Sequence, residues 1–367
     1  MTTRILVIGG HGNFGSFIAR RLSREPDITV IIAGRSARKA RALAEVLEAD
    51  WAVIDVPSTI DAALAATKPD IVIHTSGPFQ GQGYEVAEAC ARHHAHYIDL
   101  ADARRFVCDI VKLDETAKAA GVLVVSGASS VPGLTSAIID HYRKEFRMLE
   151  AVDYGIATAQ RTNRGLATTK AVLTYAGKPF ETLINGTVSQ VYGWQGLRWR
   201  KFPGIGWRSL GNCDVPDLAL FPGRYPDLKT IRFSAGLELP LIHISLWALT
   251  WLVRIGLIAN LQAAAPILLS LSRPFDLIGT DVSGFFMEMA GGGKDGQRQR
   301  LTFNLVARSG DGPMIPCVPA IVTALGLARG QITQRGAVPC VGLVGLEDIL
   351  AELKPLDIHW SVSYVAA

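Results

Sequence analysis

The chain has 367 residues, 49% of them hydrophobic and 19% charged, which excludes a disordered protein and is long enough for two domains of ordinary size. The formal net charge of +4, with no basic run beyond the stretch after Arg35, argues against a nucleic-acid partner. The five cysteines are scattered with no C-x-x-C pair, which speaks against a disulfide framework and structural zinc and points to a reducing cytoplasm.

Ile5 to Ile8 reads as a buried strand, too short for a signal peptide and ending in a glycine turn. In that turn Gly10, Gly12 and Gly15 fall on the G-x-G-x-x-G spacing of a dinucleotide-binding motif, and a helix follows at once through Leu22. Gly10 is expected to allow the tight turn, Gly12 to let the backbone approach a pyrophosphate, and Gly15 to let helix and strand lie close. Asn13 and Phe14 stand at the helix N-terminus, where free N–H groups hold an anion.

The next strand, Ile28 to Ala33, comes at βαβ distance. An NAD-selective site carries Asp or Glu at its end, whereas this chain has Gly34-Arg35-Ser36-Ala37-Arg38-Lys39. Arg35 and Ser36 are therefore expected to take a 2'-phosphate, and NADP(H) is the expected cofactor, while Arg41 reads as a solvated helix face.

The alternation continues with a helix over Ala40–Leu47, a strand over Trp51–Val56 carrying Asp55 toward the cofactor, a helix over Ile60–Ala66 and a strand over Asp70–Thr75. Ligands lie beyond the carboxyl ends of a parallel sheet, so Ser76, Gly77, Pro78 and Phe79 are expected to border the cofactor. A helix over Tyr84–His93, a strand over His96–Leu100, a helix over Leu113–Ala120 and a strand over Val122–Ser126 complete the pattern. His93, His94 and His96 cluster in sequence but should diverge at a helix end, so no metal is expected.

The ordered set of the GGHGNFG turn, AGRS after the second strand, SGPF with its glycine-rich sequel, YIDLAD and GASSVPGL resembles the NADP-binding part of saccharopine dehydrogenase (reductase)-like oxidoreductases. A looser likeness runs on through Gly165–Thr169, Gly177–Phe180 and Arg329–Pro339. The resemblance implies a Rossmann domain with a doubly wound parallel sheet and a second α+β substrate domain with a mixed sheet. The expected Rossmann domain is 1–133, with a helix at about 316–330 returning to it; the expected substrate and dimerisation domain is 134–315 with 350–367. It further implies an Asp before the Pro-Gly in members acting on amino-acid-derived imines, to hold a substrate ammonium. This chain has Val131 there, which speaks against saccharopine and zwitterionic substrates generally, although Asp99 and Asp102 are expected nearby in the topology.

In the second half, Ala151–Thr158, Thr187–Tyr192, Leu301–Arg308 and Ile358–Val365 read as strands, the last three of one sheet, and Thr168–Tyr175 and Val318–Leu327 as helices. The stretch Leu239–Leu271 is almost wholly apolar but is interrupted by Arg254 and Pro266, so it reads as a helical pair rather than a membrane span. It is expected to cover the site or form a dimer interface, with an interfacial membrane contact or an acyl channel as functional alternatives. Trp194, Trp199, Phe202 and Trp207 with Arg198, Arg200, Lys201 and Arg208 make an aromatic and basic patch, which reads either as an ordinary loop with exposed cations or as a site suited to an acidic headgroup.

No nucleophile elbow occurs. Hydride transfer needs the protein to position an electrophilic carbon and to supply a proton. Candidates for that role are Asp99 first, then Ser130, Tyr97 and Tyr84, with Ser129 beside them, although Asp99 serves equally well as a cap of the following turn. The expectation is a cytoplasmic, homodimeric NADP(H)-dependent oxidoreductase acting on a C=N, C=O or activated C=C bond of a small, hydrophobic substrate. The alternative is a catalytically silent nucleotide-binding or membrane-associated interaction protein.

Overall fold

The computed structural model describes residues 2–56, 58–162 and 165–366. The chain divides into two units, one of residues 2–137 and 314–352, the other of 138–313 and 353–366.

The first unit opens with β1 (Thr3–Ile8), α1 (Asn13–Leu22), β2 (Ile28–Gly34), α2 (Ala37–Leu47), β3 (Asp50–Val53), α3 (Ile60–Thr67) and β4 (Ile71–His74). It continues with α4 (Glu85–Arg92), β5 (His96–Asp99), α5 (Arg104–Cys108), α6 (Asp114–Ala119) and β6 (Leu123–Ser126). Seven strands pair in parallel in the order Gly336–Pro339, β6, β5, β4, β1, β2, β3. A sheet covered on both faces needs apolar side chains on both, which is why β1, β2 and β4 are near-continuous runs of Ile, Leu and Val. Edge strand β3 is the exception, and exposes Trp51 and Val53. Helix α1 buries Gly15, Ile18, Ala19 and Leu22, the i, i+3, i+4, i+7 stripe that turns one face to the core. Helix Val318–Ala328 also packs against α1, β4 and β5.

After α7 (Thr135–Tyr142), the second unit is built on a seven-stranded mixed sheet. Its strands are β7 (Phe146–Thr158), β10 (Arg198–Phe202), β11 (Gly206–Asn212), β12 (Thr230–Leu237), β13 (Ser283–Gly293), β14 (Arg298–Ala307) and Ile358–Ala366, if β8 (Pro179–Ile184) and β9 (Thr187–Tyr192) are set apart. Those two form a separate antiparallel hairpin, so the expectation that Thr187–Tyr192 shares the sheet of Leu301–Arg308 and Ile358–Val365 is corrected. Alternation alone gives a strand its pleat but not its partner. One face of the large sheet is covered by helices α8 (Leu166–Tyr175), α9 (Asp217–Arg224) and α10 (Pro240–Arg254), with α11 (Ala265–Ser272) packed on α8.

Candidate active site

The carboxyl edge of the parallel sheet collects nearly every residue that the sequence singled out in the first unit. The glycine turn lies between β1 and α1. The left-handed residue there is Gly9, at φ +77°, which lies one position ahead of the fingerprint glycines. A Cβ on Gly9 would also meet Thr75 Oγ1 at 2.6 Å and Ser76 Oγ at 2.7 Å. Gly10 sits in the tight turn itself, with its N–H donating to the Val7 carbonyl at 3.1 Å and that oxygen 2.8 Å from where a Cβ would stand. At Gly15 a Cβ would fall 2.3 Å from the Gly9 carbonyl oxygen and 2.8 Å from the Gly10 Cα, so helix and turn touch backbone to backbone. Gly12 is the N-cap of α1 and has no side chain to cap the first turn, and both it and Asn13 are exposed. A bare helix N-terminus reached through such a turn is a ready phosphate cradle.

Beside it, β2 ends in Gly34, where a Cβ would lie 2.7 Å from His11 Nε2. His11 thus stands over the end of β2, and its Nε2 is buried with no hydrogen-bond partner. The sequence reading passed over this residue; the only signal was its place inside the fingerprint. Arg35 is exposed, and among the described residues no ion pair or hydrogen bond engages it. Ser36 is the N-cap of α2 and accepts weakly from the Lys39 N–H at 3.4 Å, which leaves its hydroxyl proton to donate elsewhere. Arg41, by contrast, is tied to Glu45 on the outer face of α2. Asp55 is exposed just beyond β3, whose partner strand is β2. No carboxylate sits at the β2 end itself, and the combination of a bare guanidinium with free hydroxyl fits a 2'-phosphate.

The loop after β4 is held firmly. Thr75 donates through Oγ1 and N–H to the Ile8 carbonyl, both at 2.9 Å, and Gln82 Nε2 donates to the carbonyls of Ser76 and Pro78 at 2.8 and 2.9 Å. Ser76, Gly77 and Pro78 are part-exposed in this loop, and the Gly77–Pro78 peptide is cis. Phe79 turns inward, packing edge-on against His74 at 5.2 Å and against Phe106 at 5.2 Å.

Under this edge runs a buried polar chain. Asp99 Oδ1 accepts from the Ala101 N–H (2.9 Å), Ser126 Oγ (3.0 Å) and the Gly127 N–H (2.9 Å). Its Oδ2 makes no hydrogen bond of good geometry, and the Tyr97 hydroxyl adds only a weaker interaction with the carboxylate. Burial drives the Asp99 pKa up to about 6, against the opposing pull of those bonds. The Tyr97 hydroxyl lies 3.1 Å from His74 Nδ1; burial lifts the tyrosine well above its usual range and lowers His74 to about 4. His74 is therefore a neutral ring, and sequence reading missed it because an imidazole ending an apolar strand gives no local signal.

Tyr84 spends its hydroxyl on the Phe106 carbonyl at 2.8 Å, and burial raises its pKa to about 12. Ser129 is buried, whereas Ser130 is part-exposed where the chain enters the Ser130–Leu134 turn with its cis Val131–Pro132 peptide. Val131 is itself nearly buried. Asp102 takes a 3.2 Å bond from Gln80 Nε2. Its side chain is open to solvent, yet enough protein surrounds it at longer range to raise its pKa.

The histidine cluster resolves into three separate bonds: His93 Nε2 to Asp61 (3.2 Å), His94 Nδ1 to the Ala120 carbonyl (3.1 Å), and the Leu123 N–H to His96 Nδ1 (2.8 Å). In the second unit the expected basic patch is largely neutralised. Arg198 makes two 2.6 Å bonds to Asp153, while Arg200 pairs with Glu288 and Arg208 with Glu238. Trp199 and Trp207 remain exposed beside Lys201, but Trp194 and Phe202 are buried. Three of the four cations that the sequence grouped there are thus paired with carboxylates brought by neighbouring strands, which the sequence does not show. Among the described residues no helix is long and apolar enough to cross a membrane.

Comparison with known proteins agrees with this geometry. Residues 5–125 match the family model for the saccharopine dehydrogenase NADP binding domain. A trans-acting enoyl reductase of Mycobacterium leprae is 31% identical over 139 residues, covering 35% of this chain and 33% of that protein. The trans-acting enoyl reductase of Mycobacterium ulcerans is 26% identical over 137 residues, with the same coverage. The match therefore spans about a third of the length of these curated relatives. Among solved structures, apo saccharopine dehydrogenase (L-Glu forming) from Saccharomyces cerevisiae superposes with a TM-score of 0.69 at 15% identity, covering 99% of this chain and 100% of that one, which is a likeness of fold. The α/β architecture is that of the yeast enzyme's fold, and residues 5–125, which carry the fingerprint, are similar to the saccharopine dehydrogenase NADP binding domain.

Proposed function

We propose that this protein is an NADP(H)-dependent oxidoreductase that moves hydride to or from a C=N, C=O or activated C=C carbon of a small, apolar substrate other than saccharopine. The observation that carries the reading is the carboxyl edge of the parallel sheet, where an uncapped glycine turn adjoins a β2 end bearing free Arg35 and no carboxylate. A bound nicotinamide supplies the hydride chemistry. In this reading the first turn of α1 holds the pyrophosphate, Arg35 and Ser36 hold the 2'-phosphate, and Asp55 and the Ser76–Phe79 loop border the dinucleotide.

The proton falls to groups that a ligand can meet. Ser130 is part-exposed and Asp102 is solvent-open, whereas Asp99, Tyr97 and Tyr84 are committed to internal bonds. We therefore assign Asp99, Tyr97 and Tyr84 to holding the loops in place, and Ser130 with Asp102 to the substrate side. Val131, which carries no charge to meet an ammonium, supports a substrate without a zwitterionic end. The name of the mycobacterial relatives, trans-acting enoyl reductases, supports the C=C arm. The five cysteines, none in a disulfide, support a cytoplasmic setting. The outer strand Ile358–Ala366, with Tyr364 and Val365 exposed, offers a second copy a pairing edge and supports a homodimer.

The test is NADPH oxidation by the purified chain across enoyl thioesters, ketones, cyclic imines and saccharopine precursors, followed by nicotinamide absorbance. Turnover of an apolar member that Ser130→Ala or Asp102→Asn slows at least tenfold is the expected outcome. Failure to bind NADPH overturns the reading, and binding without any turnover leaves the silent nucleotide-binding alternative in its place.

A further inference from the structure

From Leu239 to Phe275 the chain contains no Asp or Glu and two arginines, Arg254 and Arg273. Helix α10 buries His243, Thr250 and Val253 on one side, where it packs against β11 and β12, and shows its other side to water. The exposed side continues into the connection after α10, where Ile255 is 63% and Leu257 71% exposed with Ile258 beside them, and onto α11 through Ile267 and Leu271. The inner side chains of the same segment, Val253, Leu261 and Ala265, are packed in a core cluster, so the outward aliphatic groups form a separate apolar face.

The backbone of the tip closes on the end of α10 as a helix C-cap, with Gly256 left-handed at φ +79°. The Ile255 N–H donates to the Trp251 carbonyl (2.9 Å), Gly256 to Val253 (3.1 Å), and Leu257 and Ile258 both to Leu252 (2.9 and 3.2 Å). Four consecutive donors are thus satisfied within the turn itself, which is what a segment must achieve before it can leave water without penalty. At the base of the tip the Arg254 guanidinium stacks on Tyr192 at 4.0 Å and Trp251 at 4.8 Å and bonds Gln195 Oε1. A cation held at fixed height beside an indole, under an aliphatic tip, matches the layering of a bilayer from headgroup to acyl chain.

We propose that the tip around Ile255–Ile258, with the outer faces of α10 and α11, docks this protein on the surface of a bilayer containing anionic lipid. The segment lies in the interface without crossing, since no helix here has the length or apolar content to span. Its lack of carboxylates and its two arginines select anionic headgroups over zwitterionic ones. The proposal stands apart from the hydride-transfer reading and does not need it.

The experiment is co-sedimentation of the full chain with sucrose-loaded vesicles of phosphatidylcholine alone or mixed with phosphatidylserine, with light scattering of the same samples free of lipid. The expected result is binding to the serine-lipid vesicles at least tenfold stronger than to phosphatidylcholine alone. The double variant Ile255→Asp, Leu257→Asp should lose at least tenfold of it while its NADPH titration and Tm match the wild type, because both side chains are exposed. Equal binding by the variant places the contact elsewhere and overturns the proposal, as does binding to neither vesicle. Self-association that the variant abolishes, without vesicle binding, assigns the face to a second copy and likewise overturns it.

Discussion

Replacing Asp99 by Asn separates a buried structural carboxylate from a catalytic one. Raising the Asp99 pKa from its ordinary 3.8 to about 6 in the folded protein is worth about 3 kcal/mol. The sign follows from proton uptake: between these values the native state binds more protons than the unfolded chain, so this group's contribution to stability falls as pH rises. It is most favourable below 3.8, and it is lost as pH climbs through about 6. Asparagine keeps an acceptor for the Ala101 N–H, Ser126 hydroxyl and Gly127 N–H, offers its amide to the Tyr97 hydroxyl, and has no charge to bury. Urea unfolding from pH 4 to pH 8 should therefore show the wild type losing stability relative to Asp99→Asn by up to about 3 kcal/mol across the titration. Alanine leaves those three buried donors unsatisfied, at roughly 1–3 kcal/mol each, and should be less stable than Asn at every pH. NADPH affinity in Asp99→Asn should stay within about twofold, a change of well under 1 kcal/mol. An Asn variant that is less stable than the wild type by more than about 2 kcal/mol at pH 7.5 would refute the reasoning, because it would mean that the native fold favours the ionised form.

Arg35→Ala should weaken NADPH but not NADH, removing at least about 1.4 kcal/mol, one decade, of the preference; nicotinamide fluorescence titrations with both nucleotides measure it. Gly15→Ala forces a Cβ to 2.3 Å from the Gly9 carbonyl oxygen and should cost on the order of 1–3 kcal/mol in thermal or urea unfolding together with loss of nucleotide binding. Tyr84→Phe deletes one bond to the Phe106 carbonyl and should cost about 1 kcal/mol of stability with turnover of any identified substrate unchanged; a collapse of turnover at full stability would restore Tyr84 to the chemistry.

Much of the first unit was legible in the residues because its signals are local. The run Ile5–Ile8, the glycines after it and the apolar stripe Ile18, Ala19, Leu22 each act within a few residues, through backbone sterics and helical period. The absence of a carboxylate after Ala33 was equally plain. Even there, which glycine takes the left-handed conformation depended on Thr75 and Ser76 arriving from β4, and that placed the requirement on Gly9. Helix α5 and the strand Gly336–Pro339 left weaker traces, the one being short and the other completing a sheet begun far earlier in the chain.

What the sequence alone determined was the alternation of strands and helices through residue 126, α5 aside, the dinucleotide turn and the cofactor's phosphate preference, since propensity, periodicity and glycine stereochemistry operate over a turn or two. Tertiary structure alone decided the partners. It put Asp99 in the interior on donors from Ala101, Ser126 and Gly127, joined Arg198 to Asp153 across the mixed sheet, and set Thr187–Tyr192 in its own hairpin. It also left the tip after α10 in water with its own donors satisfied. Burial and charge pairing are properties of segments brought together from far along the chain, and no local pattern encodes which of them will meet.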